Sequence, residues 1–245
     1  MKLIHNFKSP NFNERRSKEV KYIIIHYTAI KGALNSIKYL CSKKNKVSSH
    51  FLISKKGEIY SLVSEKKRAW HAGQSYWKGQ KDINSISIGI ELDYVPDIKN
   101  KKQYSGNLIK SLLFLKKKLA TKYKIPSNNI LGHSDISPYR KIDPGFNFPW
   151  KYFENKKVVF CIQKTQKIIQ NQKLLKKWFV KNSFFSNKKK ILLMLDYIGY
   201  DISLALSNNE FFQKLIFVYA SRYRLNKKNI ISTVELHFIN IMLTK

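Results

Sequence analysis

Residues 20–28, VKYIIIHYT, place three consecutive isoleucines in a β-branched stretch that ends on a histidine. Such a run reads as a buried strand. A second strand is predicted over residues 85–94, SISIGIELDY. Strand alternation there puts Ile86, Ile88 and Ile90 on one face and Ser87, Gly89 and Glu91 on the other. A third, short strand is predicted in NNILGH, ending on His133. Residues 34–45 suit a helix with Ile37, Leu40 and Cys41 on one side, and 49–65 a hairpin turned at Lys56-Gly57. Residues 107–123 form an amphipathic helix pattern that stops before Pro126. Strands and helices mix up to about residue 150, which predicts an α/β fold with a mixed central sheet flanked by helices. Beyond Trp150 the strand patterns fade, and 156–180, 188–198, 208–222 and 228–243 read as helices. Two domains are therefore expected: an α/β domain over 1–155 and a small all-helical module over 156–245.

The polar residues at the strand ends carry the chemistry. His26 ends one strand, His133 ends another, and Asp143 follows in a loop closed by Pro144-Gly145. Two imidazoles and one carboxylate are a three-ligand set of catalytic zinc, with a fourth position left open. Parallel neighbouring strands would bring these side chains to one edge of the sheet. Each residue alone has a plainer reading: a strand-ending histidine as a hydrogen-bonded core residue, and Asp before Pro as a turn starter. Glu91 is a carboxylate in an apolar strand and needs a role or a partner. It could serve as a general base, or pair with one of the many lysines. Lys141, two residues before Asp143, could stabilise an oxyanion.

The segments IIIHYTA, SSHFLISKKGEIYSLV, RAWHAGQSYW, NSISIGIELDY and LGHSDISPYRKIDPG occur in that order. Together they resemble the zinc-dependent N-acetylmuramoyl-L-alanine amidases of the amidase-2 family, related to peptidoglycan recognition proteins. Within that family the AmiD-type enzymes are most similar, including the opening SPNFNERR. The likeness covers most of residues 8–153. It implies a zinc ion on His26, His133 and Asp143, with Glu91 as catalytic acid/base and Lys141 beside it. His71, with Trp70, corresponds to a position lining the substrate cleft, although core packing accounts for the pair as well. His50 is expected to be structural. The implied reaction is hydrolysis of the amide between N-acetylmuramic acid and L-alanine of the stem peptide, in peptidoglycan or its muropeptide fragments. The other reading in this superfamily is a recognition protein that binds peptidoglycan without cutting it. Here every ligand position is filled, which argues for catalysis.

Residues 192–224 resemble the small three-helix peptidoglycan-binding-like module that follows the catalytic domain in AmiD-type enzymes. A helical cap covering one side of the α/β domain is the alternative. The net charge of +32 suggests a polyanion partner, but the lysines are scattered along the chain alongside abundant Asn, Ile, Phe and Tyr, as compositional bias would leave them. No nucleic-acid-binding signature accompanies them, so no specific nucleic-acid partner is expected. Cys41 and Cys161 are expected to be free thiols. The opening residues lack a signal-peptide core, and no run of about 18 apolar residues occurs. A cytoplasmic monomer is the default expectation, with the cell envelope as the alternative location.

Overall fold

The computed structural model describes residues 3–97 and 103–244. Its strands are β1 (Leu3–Ile4), β2 (Phe12–Glu14), β3 (Tyr22–Tyr27), β4 (Phe51–Ile53), β5 (Ile59–Ser61), β6 (Lys67–Ala69), β7 (Ser87–Leu92) and β8 (Ile130–Gly132). The helices are α1 (Ala33–Leu40), α2 (Ile83–Ile86), α3 (Gly106–Lys122), α4 (His133–Ile136) and α5 (Trp150–Asn155). They continue as α6 (Gln166–Lys181), α7 (Asn187–Ile198), α8 (Ser203–Ser207), α9 (Asn209–Tyr223) and α10 (Ile230–Leu243). Six strands form one sheet in the order β1-β5-β4-β7-β3-β8, and β2 pairs with β6 in a separate antiparallel ribbon. The hairpin β4–β5 is antiparallel, whereas β4, β7, β3 and β8 run parallel to one another. The mixed sheet flanked by helices is the architecture expected from the sequence.

The central strands are buried on both faces because successive side chains serve different layers. Ile23, Ile25, Ile88, Ile90 and Ile130 share a core with Leu108, Leu112, Leu115 and Leu119 of α3. That helix starts where the Ser105 hydroxyl accepts the Leu108 amide, and its i, i+4, i+7, i+11 leucines make the buried stripe. Each fully buried Leu or Ile contributes about 1.5–3 kcal/mol. On the opposite face, Tyr22, Ile24 and Leu131 share a core with Leu192, Leu195 and Ile198 of α7 and Leu215 and Tyr219 of α9. The helical segment thus covers one face of the sheet through continuous apolar packing.

Local departures from the sequence reading have identifiable causes. Residues 83–86 form a helical turn, so β7 begins at Ser87. His133 opens the turn α4 immediately after β8 instead of closing the strand. Residues 156–165 are not helical. Lys157 has a φ of 55°, the Phe160 amide donates to the Ser127 carbonyl, and Asn240 binds both the amide and the carbonyl of Gln163. The helix starts only at Gln166, where the Thr165 hydroxyl accepts the Ile168 amide. At Lys56-Gly57 the expected turn is present, with Gly57 at φ 90°. Both cysteines are free. Among the described residues no helix is long and apolar enough to cross a membrane.

Truncation after residue 155 would bare the apolar face of Tyr22, Ile24 and Leu131. The expected outcome is loss of cooperative thermal unfolding and exposure of dye-binding apolar surface. A truncated chain that unfolds cooperatively at the temperature of the full chain would contradict this packing.

Candidate active site

Strand register brings the polar residues together. Ile25 pairs with Gly132 of β8, so His133 follows directly beside His26, while His26 itself pairs with Glu91 of β7. In parallel strands, paired residues project to the same face. The face that is apolar at Ile24 and Leu131 therefore becomes polar one step further along each strand. Asp143 is delivered from the following loop, whose Asp143 carbonyl accepts the Ser134 amide at 2.9 Å.

His26 Nδ1 lies 3.0 Å from His133 Nδ1 and 3.3 Å from Asp143 Oδ2, and His133 Nδ1 lies 3.1 Å from the same oxygen. The three residues are buried, at 1%, 4% and 7% exposure, and together could hold a metal ion. Their outer partners fix where the protons are. The Ser87 hydroxyl donates to the Ile83 carbonyl at 2.6 Å, so its oxygen accepts from His71 Nε2 at 3.2 Å. His71 Nδ1 is then bare and accepts from His26 Nε2 at 3.0 Å. His133 Nε2 donates to the Ala72 carbonyl at 3.1 Å. Both Nδ1 lone pairs consequently face the Asp143 carboxylate with no proton supplied by the surroundings. Such a cluster suits a cation.

Electrostatics point the same way. Burial, and then the neighbouring His133, push His26 down to about 4, against the opposing pull of Asp143. Burial alone would raise Asp143, but the neighbouring His133 and then His26 outweigh it, since any proton on this cluster goes to an imidazole before the carboxylate, and hold the carboxyl well below its usual range. Glu91 stands partly exposed beside this cluster, and its Oε2 is enclosed without a hydrogen-bond partner among the described residues. Burial, then repulsion from Asp143, raise Glu91 to about 8, while Lys141 opposes the shift.

These groups line one cleft with Trp70, Lys141 and Arg140. Trp70 is half-buried, its indole donating to Asn13 Oδ1 at 3.0 Å. His71 lies in the cleft wall, but its two nitrogens are engaged by His26 and Ser87. Gly89 makes room for it, since a Cβ there would come 2.4 Å from the His71 ring. His50 is fully buried, accepting the Gly89 amide at Nδ1 and lying 3.1 Å from the Lys67 carbonyl through Nε2. His5 and His237 lie outside the cleft lining.

Sequence reasoning missed Ser87, Arg140 and Asn84. Asn84 Oδ1 accepts the amides of His71 and Ala72, and Arg140 donates to the carbonyls of Ala72 and Gln74. Only Ser87 left a signal, as a polar residue on the Glu91 face of an otherwise apolar strand.

The raised Glu91 has a stability consequence in metal-free protein. Its folded value of about 8 exceeds the ordinary 4.5. Its contribution is therefore fully present below about 4.5 and is lost as pH rises through 8, because the unfolded chain ionises first. Glu91→Gln removes this penalty. With chelator present, the variant is expected to gain about 1–3 kcal/mol over the parent at pH 7–8 and nothing at pH 4. Denaturant unfolding at the two pH values checks it, and a gain independent of pH would contradict it.

Residues 16–146 match the family model described as N-acetylmuramoyl-L-alanine amidase, Amidase_2. The chain is 38% identical over 144 residues to the N-acetylmuramoyl-L-alanine amidase AmiD of Escherichia coli, an alignment covering 54% of this chain and 51% of that protein. It thus spans about half the length of the first curated relatives it matches. The crystal structure of AmpDh3 from Pseudomonas aeruginosa superposes with a TM-score of 0.74 at 25% identity, covering 93% of this chain and 94% of that one. A structure of Escherichia coli AmiD with the substrate anhydro-N-acetylmuramic acid-L-Ala-D-gamma-Glu-L-Lys gives a TM-score of 0.71 at 25% identity, covering 95% and 92%. With more than half of its length matched to the family, and with that family's fold, this chain belongs to the amidase-2 family of N-acetylmuramoyl-L-alanine amidases.

Proposed function

We propose that the chain hydrolyses the amide between N-acetylmuramic acid and L-alanine in peptidoglycan fragments, with zinc held by His26, His133 and Asp143. The observation that carries this reading is the convergence of two bare imidazole nitrogens and a carboxylate oxygen at the floor of a cleft that also contains Glu91. Nitrogen and oxygen donors in this mixture suit zinc. A zinc ion there would supply Lewis acidity, polarising the amide carbonyl and offsetting charge that develops on its oxygen.

The remaining steps fall to the chain's own residues. Glu91 accepts a proton from the attacking water as the carbon–oxygen bond forms, then returns it to the amine as the carbon–nitrogen bond breaks. Part of Glu91's raised proton affinity comes from Asp143, so Glu91 moves toward its ionised, basic form once a cation balances that charge. Lys141 lines the same cleft, close enough for its charge to act on Glu91 and His26. Its role is to stabilise the oxyanion. Trp70 and the exposed Tyr39 and Ile142 offer apolar surface for the substrate at the rim. His71 acts through His26, holding its ring and tautomer, because neither of its nitrogens is left for substrate.

The test is incubation of purified protein with an anhydro-muramyl peptide, with mass spectrometry for the released peptide. Cleavage is expected with zinc and is expected to stop on chelation. Glu91→Gln should lower the rate about 10²–10⁴-fold while keeping bound zinc. Activity that survives chelation, or a fully active Glu91→Gln protein, would overturn the assignment.

A further inference from the structure

The helical segment does more than cover apolar surface. Asp135 lies on α4, two residues past His133, and is buried at 1% exposure. Its Oδ1 accepts the hydroxyl of Tyr200, two residues beyond the end of α7, at 2.7 Å. Its Oδ2 accepts the Gly132 amide at 2.7 Å and pairs with the guanidinium of Arg222 on α9. Arg222 is itself buried, donates through Nη2 to the Ile130 carbonyl at 3.0 Å, and stacks 4.1 Å from the centre of the Trp150 ring. Two residues of the helical segment therefore grip the chain on both sides of His133, at Ile130 and at Asp135.

The corner they grip carries two of the three proposed metal donors. His133 lies inside it, and the Ser134 amide holds the Asp143 carbonyl at 2.9 Å. A buried carboxylate satisfied by an amide, a phenol and a guanidinium has little freedom to shift. Movement of Asp135 would turn His133 and, through Ser134, carry Asp143 with it.

We infer that Arg222 and Tyr200 are positioning residues for the metal donors, making the helical segment part of the support of the metal site. This rests on the proposed zinc reading. It also implies linkage: if docking of α7 and α9 tightens metal binding, bound metal tightens their docking by the same factor. Outer residues that orient metal ligands typically change affinity about 10–100-fold when removed.

The test measures zinc affinity of the full-length chain by competition with a chromogenic chelator, together with the visible spectrum of the cobalt(II) form. Arg222→Gln is expected to weaken zinc about 10–100-fold and to alter the cobalt spectrum. Tyr200→Phe, which keeps the ring and removes one hydrogen bond, is expected to weaken it about 2–10-fold and serves if Arg222→Gln does not fold. Phe179→Leu, in α6 and outside the hydrogen-bonded clamp of Asp135, Tyr200 and Arg222, should lower thermal stability while changing affinity less than about twofold. In a double-mutant cycle, Asp135→Asn and Arg222→Gln should be strongly non-additive in zinc affinity. Parental affinity in both clamp variants would overturn the proposal and leave the amidase reading standing. So would weakening in Phe179→Leu that matches its stability loss as closely as in the clamp variants. A parent chain that binds no zinc would instead overturn the amidase reading, and this inference with it.

Discussion

Two imidazole nitrogens and a carboxylate oxygen lie 3.0–3.3 Å apart in a buried pocket, with the protons of both rings committed to outside partners. Lone pairs so close repel one another, and burial strengthens the repulsion. Only a proton on one ring or a cation among the three relieves it. Burial disfavours the protonated ring at His26, so the arrangement is one that could hold a cation. The cleft follows from this constraint. Ser87 and His71 exist in the fold as the far end of the His26 hydrogen bond, and Gly89 as the space that His71 fills. Arg140 and Asn84 secure the 72–74 loop that supplies the carbonyl for His133.

The sheet turns one face to two purposes. Toward the start of β3 and in β8, Tyr22, Ile24 and Leu131 are apolar and lie beneath α7 and α9; further along, His26 of β3 and His133, the residue that follows β8, meet Asp143. Stability and chemistry therefore share a surface and differ only in position along it. The other face is mainly apolar and packs against α3. Ligands placed at the ends of strands buried on both sides have rigid backbones beneath them, and the clamp from α7 and α9 adds support where the chain leaves β8.

Much of the chemistry was legible before the fold was known. Alternation in SISIGIELDY put Glu91 on the face opposite the isoleucines, and His26 and His133 were read as strand ends. Parallel pairing of β3 with β8 met the geometric condition attached to that reading. Other features depend on contacts that sequence pattern does not encode. The 156–165 stretch has helix-compatible residues, but hydrogen bonds to Ser127 and Asn240 hold it out of a helix. His71 was recognisable by motif, whereas the direction of its nitrogens depends on Ser87 and His26. Arg222 resembled any other basic residue in a chain with 47 lysines and arginines. Only its burial against Asp135 and Trp150 distinguishes it.

Anomalous diffraction at the zinc edge, from crystals grown with zinc, tests the central claim most directly. The account predicts one peak within about 2.0–2.2 Å of His26 Nδ1, His133 Nδ1 and an Asp143 carboxylate oxygen. A peak bound through Nε2 of either histidine, or one that leaves His26 outside its coordination, would contradict it.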